Sequence, residues 1–310
     1  MNQTPHNVIE AHGLTKHYGS ARGVVDLELT VKEGEIFGFL GPNGAGKTTT
    51  IRLLLGLMKT SGGSIDILGK KLAGHRQEIL NDIGYLPGDF GLYQELSGLD
   101  FIRHLLNARG LRDNKQVRDK TEELVQRFGF GLKGKIKTYS KGMKQIVGII
   151  QAFCHDPRLV ILDEPTSGLD PLVQEKFYEL LSLEQQRGIT VFLSSHILKE
   201  VERVCHRVGI IKEGKLAFVE DLKKYRSLVG KKITLDLMPG DSLHILNSLK
   251  KDFGVTEISS SEKRLEFFYK GDIQKLLDYI GGIQITNILI EVPTLEDFFL
   301  SYYQKEEADA

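Results

Sequence analysis

The clearest chemistry lies in Gly41-Pro42-Asn43-Gly44-Ala45-Gly46-Lys47-Thr48, which fits G-x-x-x-x-G-K-[ST] between the apolar run Ile36 to Leu40 and the helix-like Thr49 to Leu55. Glycines at this spacing let successive backbone N–H groups turn inward around phosphate oxygens, and the following helix points its positive end at the same place. Lys47 should then reach the β- and γ-phosphates of a nucleotide, and Thr48 should hold Mg²⁺. A second apolar run, Leu159 to Leu162, ends in Asp163 and Glu164. A buried parallel strand that delivers two acids to its carboxyl end puts one where it can serve Mg²⁺, directly or through water. The other can orient or deprotonate an attacking water. Ile189 to Ser195 repeats the pattern and presents His196. Ser140 and Gly142 open the apolar helix that runs to Phe153, so a serine cap and a helix start make a further anion-binding end. Tyr18, before Gly19 in a polar turn, offers its ring either to adenine or to interior packing.

Strands and helices must place these groups together. Val8 to Ala11 and Val24 to Val31 alternate as strands of an antiparallel edge layer do. The helix after Lys47 is expected to run to about Met58, with Ser61-Gly62-Gly63-Ser64 as a break and Ile65 to Leu68 as the next strand. From Gly88 to about Phe153 the pattern turns to helices separated by glycine, including Asp100 to Ala108 and Asn114 to Phe128, a helical insert. Val208 to Ile211 and Lys215 to Phe218 form a closing hairpin around Glu213-Gly214.

After a linker at Lys223 to Arg226 the pattern begins afresh: strand (Ile233 to Leu237), helix (Ser242 to Phe253), strands (Val255 to Ile258, Arg264 to Tyr269), helix (Ile273 to Ile280) and strand (Ile283 to Glu291). That order is a split β-α-β sandwich. Thr294 to Tyr303 reads as a final amphipathic helix with a capping-box start. A chain of 310 residues suits two domains, expected at 1–224, with the insert at about 88–153, and at 225–310.

Lysine plus arginine and aspartate plus glutamate balance at 41 each, so no global field argues for a nucleic-acid partner. Cys154 and Cys205 have neither disulfide density nor zinc-ligand spacing, as expected of interior thiols in a reducing compartment. No stretch approaches the roughly 18 to 20 apolar residues of a membrane-spanning helix, and Met1 to Val8 lacks a signal-peptide pattern. The expected location is the cytoplasm, with any membrane role borrowed from a partner.

Taken in order across about Val8 to Glu220, these motifs resemble those of the nucleotide-binding subunits of ATP-binding cassette (ABC) transporters. Gly41 to Thr48 is similar to the Walker A loop, Tyr139 to Gln145 to the signature loop, and Leu159 to Glu164 to the Walker B strand. Ser167 to Asp170 resembles the D-loop, and His196 the H-loop histidine. The resemblance implies an α/β fold: a P-loop NTPase cassette with an antiparallel β layer and a helical subdomain, plus a small α+β C-terminal domain, ferredoxin-like in its element order.

It further implies a Mg²⁺-dependent ATPase. Asp163 would hold Mg²⁺ through water beside Thr48, Glu164 would act on the hydrolytic water, and His196 and Lys47 would contact the phosphates. Gly41, Pro42, Asn43, Gly44, Ala45, Gly46, Lys47, Thr48 and Thr49 would surround the nucleotide and Tyr18 would stack on adenine. Ser140 and Gly142 would cap the γ-phosphate bound by an opposite subunit, in a homodimer or with a paralogous cassette. The chain's ending resembles that of ABC-2 export subunits, which implies a separately encoded transmembrane permease, export, and a peripheral place on the cytosolic face of the membrane. The alternative is an ATP-operated clamp that moves nothing across a membrane.

The sequence departs from the pattern in two loops. Gly88 stands where the family usually carries glutamine, and Lys141 where glycine is commoner. Glycine has no side-chain oxygen for Mg²⁺, so the neighbouring Asp89 is expected to supply one through water or a shifted backbone. If it does, Asp89→Ala raises the Mg²⁺ needed for half-maximal ATP hydrolysis about ten-fold; an unchanged Mg²⁺ titration would remove Asp89 from the metal site.

Overall fold

The alternation of apolar residues in the first two strands becomes a set of cross-strand pairs. β1 (Asn7–Tyr18) and β2 (Ala21–Lys32) run antiparallel, with Ile9 opposite Val31, Ala11 opposite Leu29 and Leu14 opposite Leu27. All six side chains are buried, so one face of the layer closes a core. The computed structural model describes residues 6–19, 21–89, 91–111, 114–238 and 242–297. They form two compact units, Met1–Val219 and Glu220–Ala310.

In the first unit β3 (Ile36–Leu40) leads through the phosphate loop into α1 (Lys47–Leu54). Then follow β4 (Gly62–Ile67), the short β5 (Lys70–Lys71), α2 (Leu72–Asn81) and β6 (Ile83–Leu86). The helical insert holds α3 (Gly98–Ala108), α4 (Lys115–Phe128) and α5 (Lys141–Phe153). β7 (Leu159–Asp163), α6 (Pro171–Gln186), β8 (Thr190–Ser195), α7 (Leu198–Val204), β9 (Arg207–Lys212) and β10 (Lys215–Asp221) complete it.

Two sheets result, a four-stranded layer ordered β2-β1-β4-β5 and a six-stranded sheet ordered β10-β9-β3-β8-β7-β6. In the second, β9, β3, β8, β7 and β6 are parallel. Every residue of β3, β7 and β8 is buried, as a strand covered on both faces requires. The insert helices carry their own start signals: Ser97 Oγ accepts from Asp100 N at 3.1 Å, and Asn114 Oδ1 from Val117 N at 2.9 Å. A buried ion pair, Lys120 with Glu184 at 2.6 Å, ties α4 to α6. Removing either partner leaves the other buried charge to a more exposed neighbour, Glu123 for Lys120 at 3.3 Å and Arg187 for Glu184 at 2.9 Å. Cys154 and Cys205 are buried free thiols, and burial pushes the Cys154 thiol up to about 12.

The second unit contains α8 (Leu222–Val229), β11 (Lys231–Leu237), α9 (Ser242–Ser248) with a π-helical turn at Leu249–Phe253, β12 (Thr256–Ser260), β13 (Arg264–Tyr269), α10 (Ile273–Ile280) and β14 (Ile285–Glu291). Its antiparallel sheet is ordered β12-β13-β11-β14 around Ile233, Leu235, Leu265 and Phe267, all fully buried.

Three expectations need correction, and one helix was unexpected. The helix after Lys47 ends at Leu54 rather than near Met58, closing in a turn where Leu55 N donates to Ile51 O at 3.0 Å. The helix has ended before Ser61, but Gly62 to Ser64, read as a break ahead of a strand at Ile65, already belong to β4, where Gly62 pairs with Thr15 and Ser64 with His12. Residues 72–81 form α2, which the sequence reading did not anticipate. Lys223 to Arg226 lie within α8 instead of in a linker. The capping box at the start of the last expected helix is present, Thr294 N donating to Asp297 Oδ2 at 2.8 Å and Asp297 N to Thr294 Oγ1 at 3.2 Å. Beyond Asp297 that helix lies outside the described residues.

His155, just past α5, has its Nε2 3.3 Å from the Ile83 carbonyl. Burial first, and the Arg109 guanidinium second, push its pKa from 6.5 down to about 4. The unfolded chain therefore takes up the proton first, and stability is full above pH 6.5 and lost as the pH falls toward 4. Between pH 7 and pH 5 the loss attributable to this ring is about 2 kcal/mol. His155→Gln is expected to flatten that part of the urea-midpoint profile, and an equal pH slope in both proteins would show that His155 does not titrate this way.

Candidate functional site

Register in the parallel sheet brings the distant motifs together. Leu40, the last residue before the phosphate loop, lies opposite Ser195, and Asp163 lies opposite Ser194. The carboxyl ends of β3, β8 and β7 thus stand side by side, where open α/β sheets bind ligands. They border a cleft of about 330 Å³ lined by Asn43, Thr48, Gly88, Asp89, Asp163, Glu164, Ser167 and His196, among others.

The phosphate loop wraps the start of α1. Gly46 has φ of 114°, which side chains rarely tolerate, and its carbonyl accepts from Thr50 N at 2.9 Å and Thr50 Oγ1 at 3.0 Å. Lys47 is only 6% exposed, yet its ammonium is satisfied. Nζ donates to Gly41 O at 2.7 Å and Pro42 O at 3.4 Å, and lies 3.4 Å from Glu164 Oε1. The cation is therefore held at the rim of the loop, facing the acid that ends β7.

Asp163 is 2% exposed and receives a hydrogen bond on each oxygen, from Thr48 Oγ1 at 2.8 Å and from Ser194 Oγ. Glu164 takes a φ of 49°, uncommon for a side-chain-bearing residue and costing about 1–3 kcal/mol. Its N–H donates to Ser194 O at 3.1 Å and bends the chain out of the strand. Its carboxylate meets His196, with Nδ1 2.7 Å from Oε2. Lysine, carboxylate and imidazole form a continuous chain of contacts at the mouth of the loop, an arrangement suited to holding a water and moving its proton beside a phosphoryl group.

The Thr48 hydroxyl and the Asp163 and Asp89 carboxylates on this cleft are hard oxygen donors, the kind that Mg²⁺ takes. Among the described residues no group of three or more His, Cys, Asp or Glu is placed to hold a metal alone. The donor set thus fits an ion that draws its remaining oxygens from phosphates and water.

The other expected residues fall around this centre. Tyr18 is 42% exposed, its hydroxyl donating to Met58 Sδ at 2.9 Å and lying 3.4 Å from Thr49 Oγ1, so half the ring stays open beside α1. Ser140 Oγ caps α5 by accepting from Met143 N at 3.2 Å. Gly142 lies against the Gly168 carbonyl, which a Cβ would meet at 2.8 Å. Neither Ser140 nor Gly142 is among the residues lining the cleft.

Sequence reasoning missed three partners. Ser194 binds Asp163; Gln145 Nε2 donates to Pro165 O at 2.8 Å; Lys141 Nζ donates to Ser167 Oγ at 3.0 Å. A polar Gln145 on the buried face of an apolar helix was the available signal.

Comparison with known proteins agrees with this geometry. Residues 24–167 match the family model described as ABC transporter. The chain is 36% identical over 301 residues to the bacitracin transport ATP-binding protein BcrA of Bacillus licheniformis, covering 94% of this chain and 96% of that one. It is 32% identical over 303 residues to BcrA of Enterococcus faecalis, covering 94% and 95%. Among solved structures, the ATP binding subunit of an ABC transporter superposes with a TM-score of 0.66 at 33% identity, covering 72% of this chain and 93% of that one. A bacterial ABC transporter cassette solved as a dimer superposes at 0.62 with 26% identity, covering 69% and 98%.

Gly88 faces Asp163 closely: a Cβ there would lie 3.3 Å from both Cγ and Oδ2. Asp163 is fixed by Thr48 and Ser194 and has little room to give. Gly88→Gln is therefore expected to lower ATP turnover about ten-fold by displacing that carboxylate. Unchanged or faster hydrolysis would show that the carboxylate yields.

Proposed function

The chain belongs to the ATP-binding subunits of the ABC transporter family, and from that premise we propose that it is a Mg²⁺-dependent ATPase which works in pairs and drives export through a separately encoded permease. The observation that carries the reading is the run of contacts Lys47, Glu164, His196 at the mouth of the phosphate loop, with spacings of 3.4 and 2.7 Å.

The residues divide the work as follows. The loop from Gly41 to Thr49 cradles the phosphates through backbone N–H groups, and Tyr18 stacks on the base. Lys47 neutralises charge on the β- and γ-phosphates. Glu164 orients a water and accepts its proton as the oxygen attacks the γ-phosphorus and the bond to the bridging oxygen of ADP breaks. His196 meets the Glu164 carboxylate through Nδ1 and lines the cleft that would receive the γ-phosphate. Mg²⁺ bound by Thr48 Oγ1 and by Asp163, with Asp89 as an outer carboxylate, would supply charge neutralisation at the transferring phosphoryl group.

A single copy leaves the γ-phosphate without Ser140 and Gly142, which lie off its own cleft. A second copy placed face to face would bring its α5 start there, cap the anion with a helix end and complete two sites at once. The exposed apolar side chains Leu172, at the start of α6, and Ile197, next to His196, suit a surface covered in that pair. A cassette of the same family solved as a dimer supports pairing.

No described helix is long and apolar enough to cross a membrane, so transport requires a partner that does. Bacitracin transport as the named task of two relatives supports transport over a clamp that moves nothing. A peripheral position at the cytosolic face of the membrane follows from this partnership.

Glu164→Gln keeps the shape of the side chain and removes the base. With ATP and Mg²⁺ it is expected to elute as a stable dimer while turnover falls about a thousand-fold, and chelating Mg²⁺ is expected to stop hydrolysis by the unaltered chain. Normal turnover in Glu164→Gln, or a variant that stays monomeric at saturating ATP, would overturn the proposal.

A further inference from the structure

Behind the pair Glu164 and His196 lies a third carboxylate that the mechanism does not use. Glu200, in the first turn of α7, is 7% exposed. Its Oε1 accepts from Thr166 Oγ1 at 2.6 Å and its Oε2 from Ser195 Oγ at 2.8 Å. Both donors are buried hydroxyls, and both spend their single proton on this acid. Thr166 stands two residues after Glu164, and Ser195 immediately precedes His196. Ser195 Oγ in turn accepts from Ile197 N at 3.0 Å, which fixes the chain on the far side of the histidine.

We propose that Glu200 is a positioning residue for ATP hydrolysis, one carboxylate that pins the loop after β7 and the end of β8 so that Glu164 and His196 stay in hydrogen-bonding register. The inference rests on the ATPase reading of the same site. A buried acid is costly unless its oxygens are met by donors, and here both are met by the two segments that carry the reacting pair. Its other charged surroundings are occupied elsewhere: Arg203 lies over the Tyr178 ring at 4.7 Å and pairs with Glu175. Burial and then the nearby Glu200 charge push the Tyr178 phenol up to about 12, so it stays protonated. Neither oxygen of Glu200 is bonded to a phosphate-loop residue, which separates it from nucleotide binding.

The test uses the full-length chain. Glu200→Ala is expected to lower kcat about thirty-fold, because an error of about 1 Å at a reacting pair costs about a hundred-fold, while KM for ATP and ATP affinity stay within about two-fold. Glu200→Gln, which keeps the volume and one acceptor oxygen, is expected to recover most of the rate. Thr166→Val should lower kcat as well, and adding it to Glu200→Ala should lower it no further.

Wild-type kcat in Glu200→Ala, or kcat and ATP affinity falling together, would overturn the assignment in favour of none or of plain structural support. Should Glu200→Ala not fold, the double variant Thr166→Val with Ser195→Ala decides: reduced kcat at unchanged affinity sustains the role, and unchanged kcat removes it. Glu164→Gln is measured alongside. If it is inactive while Glu200→Ala is fully active, only the positioning role fails; if it turns over normally, the ATPase reading falls and this inference with it.

Discussion

A carboxylate taken out of water must be met by donors, and in this cassette the donors that meet Asp163 come from two different parts of the chain. Thr48 stands in the first turn of the helix after the phosphate loop, and Ser194 stands opposite Asp163 on the adjacent strand. Leaving either oxygen unmatched would strand a charge in a low-dielectric interior, at a cost of several kcal/mol. The same contacts fix how deep the loop sits against the sheet. The geometry of Lys47 and Glu164 depends on that depth, so these two groups inherit their spacing from a buried carboxylate.

The signature helix is linked to the same centre within one copy. Gln145 holds the carbonyl of Pro165 just past Glu164, Gly142 abuts the Gly168 carbonyl, and Lys141 reaches Ser167. Movement of α5 therefore moves the segment from Glu164 to Gly168 with it. In the proposed face-to-face pair, the α5 start and the loop that carries Glu164 would form one mechanical unit.

Much of this was legible because phosphate chemistry demands particular residues at contiguous positions. A glycine-rich loop, an acid pair and a histidine each end an apolar strand, so strand and ligand group are read together. A hydroxyl and a carboxylate such as Ser194 and Glu200 were not legible, since their meaning lies in contacts with Asp163 and Thr166, about thirty residues away. Gly62 to Ser64 misled for a related reason. Glycine favours a turn locally, yet pairing with β1 supplies backbone hydrogen bonds that outweigh the preference. In α8 the buried Leu222 and Tyr225 stand three apart, a helical spacing hidden among charged neighbours that suggested a linker.

The turn between β9 and β10 carries a consequence for the order in which the molecule comes into being. Glu213 and Gly214 both have positive φ, as a tight two-residue hairpin needs, and Gly214 donates its N–H to Ala45 O at 2.9 Å while its carbonyl accepts from Val25 N at 2.8 Å. The Ile211 carbonyl meanwhile lies so close to Gly41 that a Cβ would come within 2.3 Å of it. A loop translated early is thus braced by residues translated near the end of the cassette. As the polypeptide leaves the ribosome, its phosphate cradle therefore lacks this brace until the hairpin emerges, after nearly the whole first unit has been synthesised.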